Sequence, residues 1–492
     1  MLDFFKALAY NADSPLVFNS VLFFILFTAF YGVYINFFER IRVRNILLLA
    51  FSLYFYYKIS GFFVILLVLM ATSDFFLGKA IFNSKTDSRK RWFMAISIIV
   101  NLGALCYYKY TNFFIQSWFG LQGVESPILL NIVMPVGISF FVFKSLSYIF
   151  DLNREMIEEP EKNYLDYVLY VSFFPNILAG PISKARNLLP QFKQQFVLTE
   201  EMVGKAIFLI LTGAFKKVFI ADYLAANFVD RVFDGPNFFT GFENLMASIG
   251  AMIQIYADFS GYTDIVIGIA LLLGIVVEPN FNKPFLAKNI TDFWRRWHMT
   301  LAQWLNEYLF YPLTYNLRSL KKLGVIIAVF VTFFVSGFWH GASWTYVLWG
   351  CSHGLALIWD IVSEGMRDGI KKIIPKNIYG FFSVFLTFLF LSLSVVLFKS
   401  ADLKTAGMVY GKIFTDLNFS LAGQWISLYS KPFMLMVLAM ALHFTPMTWN
   451  NYLVARYSKM SVGMKAVLAF IAILIIYQAY SSDALPFVYL EF

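Results

Sequence analysis

The sequence predicts an all-α, polytopic integral membrane protein. Two compositional facts lead to this prediction: hydrophobic residues make up 59% of the 492 residues, and charged residues make up only 14%. A soluble domain usually has about a quarter of its residues charged. The third observation is that the chain contains many long stretches without a single Asp, Glu, Lys or Arg.

These charge-free stretches have the length of membrane spans. Six of them cover residues 14–38, 93–108, 126–143, 167–183, 377–398 and 466–482. About 20 apolar residues in a helix cross the ~30 Å hydrocarbon layer. Helices are expected because a backbone in lipid must satisfy its own hydrogen bonds.

We therefore expect about 11–13 transmembrane helices. The predicted spans lie near residues 17–38, 43–58, 60–81, 92–112, 127–150, 164–181, 204–228, 243–275 (one helix or two), 323–337, 340–360, 378–398, 432–448 and 464–482. Residues 1–14 lack the pattern of an export signal, which predicts that the first span is retained. One integral membrane domain, residues 1–492, is the simplest organisation.

The net charge of +9 is interpreted as a topology signal. The basic clusters lie between the predicted spans, as cytoplasmic loops do, and they would also attract anionic lipid head groups. No basic region stands apart from the apolar segments, so nucleic-acid binding is not expected.

Two regions do not fit simple spanning helices. Residues 276–322 form a polar and aromatic connection in which Pro279, Pro284 and Pro312 prevent one continuous helix. Residues 323–359 lack Asp, Glu, Lys and Arg but are too long for one span, and a break near Gly341 would place His340 at a helix end inside the protein. Both regions predict broken, re-entrant or interfacial helices.

Histidines are the first candidates for chemistry. His340 and His353 lie in apolar sequence, where an ionisable group must find polar partners or line a wet cavity. Burial favours the neutral imidazole, which is the form that a general base needs. A structural histidine that bonds a backbone carbonyl would give the same pattern, so spacing alone leaves both interpretations open. For His353 the pattern favours the structural role.

A second candidate group is a polar cluster in the long apolar segment 254–264. It contains Asp258, Ser260, Tyr262 and Asp264. In a helix, residues four positions apart share a face, so Asp258 would lie beside Tyr262 and Ser260 beside Asp264. In an apolar segment, these side chains must hydrogen-bond one another, face an aqueous tunnel or pair with cations such as Arg295 and Arg296. A transporter would show the same pattern. The spacing of the histidines predicts no metal site.

Several motifs together resemble the membrane-bound O-acyltransferases, in particular the bacterial branch that acetylates alginate and peptidoglycan. The most specific are Ile290-Thr-Asp-Phe-Trp-Arg-Arg-Trp-His298 and Ser336-Gly-Phe-Trp-His-Gly-Ala-Ser-Trp344. The others are Tyr256–Asp264, Glu278–Asn282, Met134–Phe141, Phe174–Pro181 and Trp349–Gly354. The resemblance covers residues 20–360 strongly and the hydrophobic residues 361–492 loosely.

The resemblance implies a fold and a set of residue roles. His340 matches the catalytic histidine of the family, held in a central tunnel through the membrane, and His298 matches the second characteristic position. Arg295 and Arg296 suit a phosphate-bearing donor, although pairing with acidic residues would explain them equally well. Trp339 and His353 are further candidates to line the tunnel, together with the polar cluster.

The implied reaction is transfer of an acyl group, expected to be acetyl, from a cytoplasmic thioester to an extracytoplasmic polysaccharide or peptidoglycan. Acetyl-CoA is the expected donor substrate, no cofactor is expected to be bound, and a separate extracytoplasmic transferase is the expected partner. The protein itself is expected in the inner membrane of a bacterial cell. Two alternatives remain: D-alanyl transfer to teichoic acid from a carrier-protein thioester, and a transporter or export channel without acyl chemistry.

Overall fold

A computed structural model describes residues 8–12, 15–18, 20–123 and 128–479. All regular structure in these residues is helical, which confirms the all-α prediction. Most of the stretch interpreted as lacking an export signal, and the ends of two predicted spans at residues 127 and 480–482, lie outside the described residues.

The chain is divided among many helices of very different length. In order, the α-helices are α1 Val21–Tyr34, α2 Ile41–Ser60, α3 Phe63–Phe82, α4 Asp87–Leu105, α5 Thr111–Leu121, α6 Ile138–Asn153, α7 Tyr164–Ser172, α8 Phe174–Ile177, α9 Ala185–Phe192, α10 Glu200–Phe215, α11 Asp230–Asp234, α12 Gly241–Leu272, α13 Ile290–Trp294, α14 Met299–Leu305, α15 Tyr311–Asn316, α16 Lys321–His340, α17 Trp344–Val362, α18 Glu364–Ile373, α19 Lys376–Lys399, α20 Leu403–Thr415, α21 Ala422–Leu428, α22 Ser430–Phe444, α23 Met447–Ser458 and α24 Val462–Ala479.

Among the residues that the structure describes, short π-helical turns widen the helices at four places. They are Cys106–Tyr110, Lys216–Asp222, Ala225–Val229 and Asn306–Phe310. Single π turns inside longer helices often occur at functional sites.

In the described part of the chain, five helical segments are long and apolar enough to cross a membrane on their own, and two bent pairs raise the number to seven. The five are Phe63–Phe82, Asp87–Leu121, Gly241–Leu272, Arg318–His340 and Lys376–Lys399. The bent pairs, Phe419–Leu428 with Ser430–Phe444 and Met447–Ser458 with Val462–Leu474, turn by 100° and 120°. These numbers are below the expected 11–13 because several apolar stretches are divided into shorter helices.

The divided stretches have local causes. Helix α6 begins only at Ile138, after Gly137 with φ 76°, so most of the apolar residues before it are not helical. Helix α7 ends at Ser172 because Pro175, which follows in α8, has no amide hydrogen to continue the ladder. The segment 243–275, predicted as one helix or two, is a single helix of 32 residues, Gly241–Leu272.

Exposed apolar side chains on the spanning helices support a lipid environment. On α19, Phe381, Phe382, Phe385 and Leu386 are each more than half exposed. An apolar patch of this kind is rare on a protein surface in water, whereas it costs nothing against hydrocarbon. The chain is therefore a multi-pass membrane protein.

Residue contacts divide the chain into two compact units. The first comprises Met1–Ala206 and Val266–Glu278, and the second comprises Ile207–Ile265 and Pro279–Phe492. Each unit draws on two separate stretches of sequence, and the expectation of one integral domain stays a prediction. All four histidines belong to the second unit.

Helices α16 and α17 form a tightly packed hairpin through two glycines. A Cβ added at Gly350 would overlap the carbonyl oxygen of Phe333 and would lie 2.8 Å from Cα of Gly337. Small residues of this kind let helix backbones approach closely in membranes, where packing replaces the hydrophobic effect as the force between helices. The contact lies within one turn of His340, so it sets the position of that residue.

We expect Gly350→Val to separate α16 from α17 and to destabilise the protein, since overpacking typically costs about 1–3 kcal/mol even where side chains can move. The matched control is Gly380→Val, because nothing lies within 4 Å of an added Cβ at Gly380. The melting temperatures of the detergent-purified variants measure the difference. Equal melting temperatures would show that the close contact does not matter.

Candidate functional site

His340 is the last residue of α16. The next residue, Gly341, is extended with φ −163° and ψ 151°, and α17 begins after Ser343, whose hydroxyl accepts a hydrogen bond from the amide of Thr345. The imidazole is buried, with 2% of the residue exposed. The predicted helix break is therefore confirmed, and it falls directly after His340.

His298 occupies an unusual backbone conformation between two short helices. Its φ of 41° and ψ of 51° lie in the left-handed region, where a residue with a side chain costs roughly 1–3 kcal/mol unless its surroundings hold it there. The residue is fully buried. Its conformation turns the chain from α13 into α14.

The preceding motif Glu278–Asn282 holds this turn in place. The amide of Met299 donates to the carbonyl of Asn280 at 2.9 Å, and the hydroxyl of Thr300 donates to the Asn280 side-chain oxygen at 2.7 Å. The amide of Asn282 donates to the carbonyl of Arg296 at 2.9 Å. These bonds fix the backbone on both sides of His298, which explains how the strained conformation persists.

Trp339 brings the two histidines into one aromatic cluster. Its ring centroid lies 5.0 Å from that of His340 and 6.3 Å from that of His298. Phe259 on α12 packs against His298, with 4.8 Å between the two ring centroids. Residues far apart in sequence thus surround the two imidazoles with aromatic walls.

His353 continues the cluster and has a partner at each ring nitrogen. Nε1 of Trp294 donates to its Nδ1 at 3.3 Å, so the hydrogen of the neutral ring lies on Nε2, which is 3.1 Å from the hydroxyl of Ser394. Trp349 touches both His353 and His340, with centroid distances of 4.8 and 5.0 Å. These bonds favour a structural role for His353, and its role in a tunnel stays a prediction.

The two carboxylates of the polar cluster are held by lysines of a π turn. Nζ of Lys217 lies 2.6 Å from Asp258 and 2.9 Å from Asp222, and Nζ of Lys216 lies 2.6 Å from Asp264. Lys217 and Asp258 are both almost completely buried. Sequence reasoning offered Arg295 and Arg296 as possible cations for these aspartates, whereas their observed partners are lysines.

The remaining candidates fall into two groups. Ser260 and Tyr262 are buried on α12 next to the ion pairs. Arg295 is exposed, whereas Arg296 forms a 2.8 Å ion pair with Asp292 four residues earlier. A phosphate-binding role for the two arginines stays a prediction. For Arg296, the ion pair with Asp292 agrees with the alternative, which was pairing with an acidic residue.

This arrangement is suited to proton transfer away from water. Two imidazoles share contacts with one indole inside a buried aromatic cluster, where a neutral ring can accept a proton and return it. Water-poor surroundings also strengthen any hydrogen bond made to a developing charge.

Several contributing residues were given no role by sequence reasoning. Asn280 lies in a motif that was noted only for its resemblance, and Lys216 and Lys217 lie in a segment interpreted as a plain span. An adjacent lysine pair inside an apolar segment was the available signal, because buried cations need buried anions.

We expect Lys217→Met to be strongly destabilising, because it leaves the buried Asp258 and the partly buried Asp222 without their shared cation. Breaking a buried ion pair from one side costs about 3–5 kcal/mol. The control is Lys371→Met, which removes an exposed pair with Asp368 and should leave the stability nearly unchanged, since solvent screens such pairs. Similar melting temperatures for both variants in detergent would contradict the importance of the buried cluster.

Comparison with known proteins supplies the family. A sequence profile described as the membrane-bound O-acyltransferase family matches residues 136–400. A probable alginate O-acetylase of Pseudomonas syringae pv. tomato is 34% identical over 416 residues, which cover 83% of this chain and 77% of the relative. A peptidoglycan O-acetyltransferase of Helicobacter pylori is 33% identical over 423 residues, covering 80% and 78%.

A teichoic acid D-alanyltransferase of Bacillus subtilis is also similar, at 30% identity over 236 residues, which cover 46% of this chain and 59% of the relative. The profile match includes His298, Trp339 and His340 and spans more than half of the sequence. The chain belongs to the membrane-bound O-acyltransferase family and is an O-acyltransferase.

Proposed function

We propose that this O-acyltransferase moves an acetyl group from a cytoplasmic thioester, acetyl-CoA, toward a hydroxyl of an extracytoplasmic polysaccharide or peptidoglycan. The relatives that cover 80% or more of the chain are named for O-acetylation of alginate or peptidoglycan. The observation that carries the proposal is the burial of His340 and His298 around Trp339, at the end of a membrane helix.

His340 acts as the general base in this proposal. Its neutral imidazole takes the proton from the acceptor hydroxyl while the hydroxyl oxygen attacks the thioester carbonyl carbon. The tetrahedral intermediate then expels the CoA sulfur, which takes the proton from the imidazolium. The products are an ester and the free thiol, and the histidine returns to its neutral form.

General-base catalysis by one histidine typically accelerates a reaction by about 10²–10⁴-fold. Holding donor and acceptor against each other in the buried cluster supplies much of the remainder. His298 contributes by hydrogen bonding the acceptor hydroxyl or the carbonyl oxygen, and its braced backbone keeps the ring in one orientation.

The locations of the proposed substrates support a particular membrane and a partner protein. Acetyl-CoA is cytoplasmic, whereas polysaccharide and peptidoglycan hydroxyls lie outside, which favours a location in the inner membrane. The acetyl group passes to a separate extracytoplasmic transferase, whose hydroxyl is then the first acceptor at His340.

Two other functions are less well supported. D-alanyl transfer is the named activity of a relative that covers only 46% of the chain. A transporter without acyl chemistry does not agree with membership of an acyltransferase family. Incubating membranes with labelled acetyl-CoA and, separately, with a labelled D-alanyl carrier protein distinguishes the two acyl transfers: label incorporated only from acetyl-CoA supports the proposal, and label only from the carrier would replace it.

We expect His340→Gln to reduce acetyl transfer by about 10²-fold or more, because glutamine cannot accept and return the proton. The control is His443→Gln: Nε2 of His443 accepts a hydrogen bond from the amide of Phe285, and a glutamine oxygen can do the same. Transfer from labelled acetyl-CoA is measured at matched protein abundance in membranes. Full activity of His340→Gln would contradict the assignment of His340 as the general base.

At His298, we expect Ala and Gly to lower activity by roughly 10²-fold, as loss of one polar catalytic group does. Glycine adopts positive φ at no cost, so His298→Gly should melt higher than His298→Ala. Asn also tolerates this conformation and keeps a hydrogen-bonding group, so His298→Asn should retain partial activity. If His298→Gly were as active as the natural enzyme, the residue would serve only the turn.

A further inference from the structure

A short helix, α18, connects two apolar helices of the second unit. It comprises Glu364–Ile373 and lies between α17, which ends at Val362, and α19, which begins at Lys376. Helix α19 is long and apolar enough to span a membrane. All three helices belong to the same unit as His298 and His340.

Helix α18 carries its apolar and its charged side chains on different faces. Met366, Ile370 and Ile373 follow one another at intervals of four and three residues, so they share a face. This face is open, since Met366 is 53% exposed and Ile373 is 84% exposed. Arg367 and Lys371, four residues apart, lie on the other side of the helix. A helix with this pattern lies in the plane of a membrane interface and directs its apolar face toward the acyl chains.

The residues on either side of α18 agree with a position at the membrane surface. Trp359 in the last turn of α17 is 57% exposed, and tryptophan is enriched at the level of the lipid head groups. In the second turn of α19, the exposed Phe381 and Phe382 present a surface suited to hydrocarbon. The open face of α18 is therefore continuous with a surface that lipid already covers.

The charges at the end of α18 favour anionic head groups. Lys371, Lys372 and Lys376 lie within six residues at the junction of α18 and α19, whereas the acidic Glu364 and Asp368 lie earlier in the helix. The side chains of all three lysines are exposed. Lysines next to a membrane span attract anionic lipids of the cytoplasmic leaflet. A basic connection between spans is also typical of the cytoplasmic side.

One carboxylate joins α18 to the segment that carries His298. Nη1 of Arg367 lies 3.2 Å from Oδ1 of Asp360 in α17. The other carboxylate oxygen of Asp360 accepts hydrogen bonds from the amide and the hydroxyl of Thr291, each at 2.9 Å. Thr291 belongs to α13, the helix that leads into the turn at His298. A displacement of α18 would therefore disturb the start of that segment.

We propose that α18 binds the anionic surface of the membrane and that this contact supports acyl transfer through Asp360. When α18 lies in the interface, Arg367 holds the carboxylate of Asp360 in place, and the carboxylate holds Thr291. When α18 leaves the interface, the ion pair is lost and the start of α13 is held less firmly. The rate measurement below rests on the proposed function, whereas the binding measurement does not.

Hydrogen exchange measures the membrane contact. The full-length enzyme is placed in nanodiscs of phosphatidylcholine alone or of phosphatidylcholine with phosphatidylglycerol, and mass spectrometry follows exchange of the α18 amides. We expect exchange to be about 10-fold slower in the anionic discs, because each lysine near an anionic surface strengthens binding by about fivefold.

The variant Lys372→Gln/Lys376→Gln should remove most of this difference between the two lipids. The matched control, Lys404→Gln/Lys459→Gln, removes two exposed lysines outside α18 and should keep the difference. Equal exchange of the natural enzyme in both discs would overturn the proposal. Slow exchange that appears only in native membranes would also overturn it, because a protein partner would then cover the face.

Acetyl transfer in the same discs tests the link through Asp360. The natural enzyme should be about fivefold faster in the anionic discs, which is the lower end of typical coupling between sites. Arg367→Gln should lose this lipid dependence although exchange of α18 stays slow. A natural enzyme whose rate is the same in both lipids would contradict the link. If α18 is protected but no acetyl is transferred in either disc, the proposed function is wrong and the membrane contact stands.

Discussion

The contact between α16 and α17 at Gly337 and Gly350 is the constraint on which the site depends most. Because neither glycine has a side chain, the two helix backbones meet directly, one turn before His340 and one turn before His353. The hairpin therefore holds His340 and His353, with Trp349 between them, in one rigid unit. Any larger residue at the crossing would displace all three, which a site that needs sub-ångström placement cannot tolerate.

Around this hairpin, hydrogen bonds and ion pairs help to hold the other segments of the site in place. His298 comes from a turn with positive φ, and it stays there because Asn280 and Asn282 bond the backbone on either side. Phe259 reaches the same histidine from α12, whose neighbouring Asp258 is bound to Lys217. In hydrocarbon a polar group must find its partner inside the protein, so the polar residues that assemble the site also hold its helices together.

The sequence predicted the class of fold and singled out His298 and His340, but it did not show where apolar stretches are divided into shorter helices. Apolar stretches show which segments avoid water, and they do not show where a helix stops. The stretch before Ile138 and the one around Pro175 are apolar yet are not single helices, because Gly137 and Pro175 interrupt them locally. The break after His340 was predictable, since Gly341 follows a run too long for one span.

By itself, the sequence determined that the chain is a helical membrane protein, and its ordered motifs indicated an acyltransferase with His340 at its centre. Only the tertiary structure decided which residues meet: Trp339 between His298 and His340, lysines instead of arginines opposite the aspartates, and Ser394 and Trp294 around His353. The reason is physical. Hydropathy and spacing act along the chain, whereas nearly all of these contacts join residues between 41 and 59 positions apart, and only the packing of one helix against another brings them within reach.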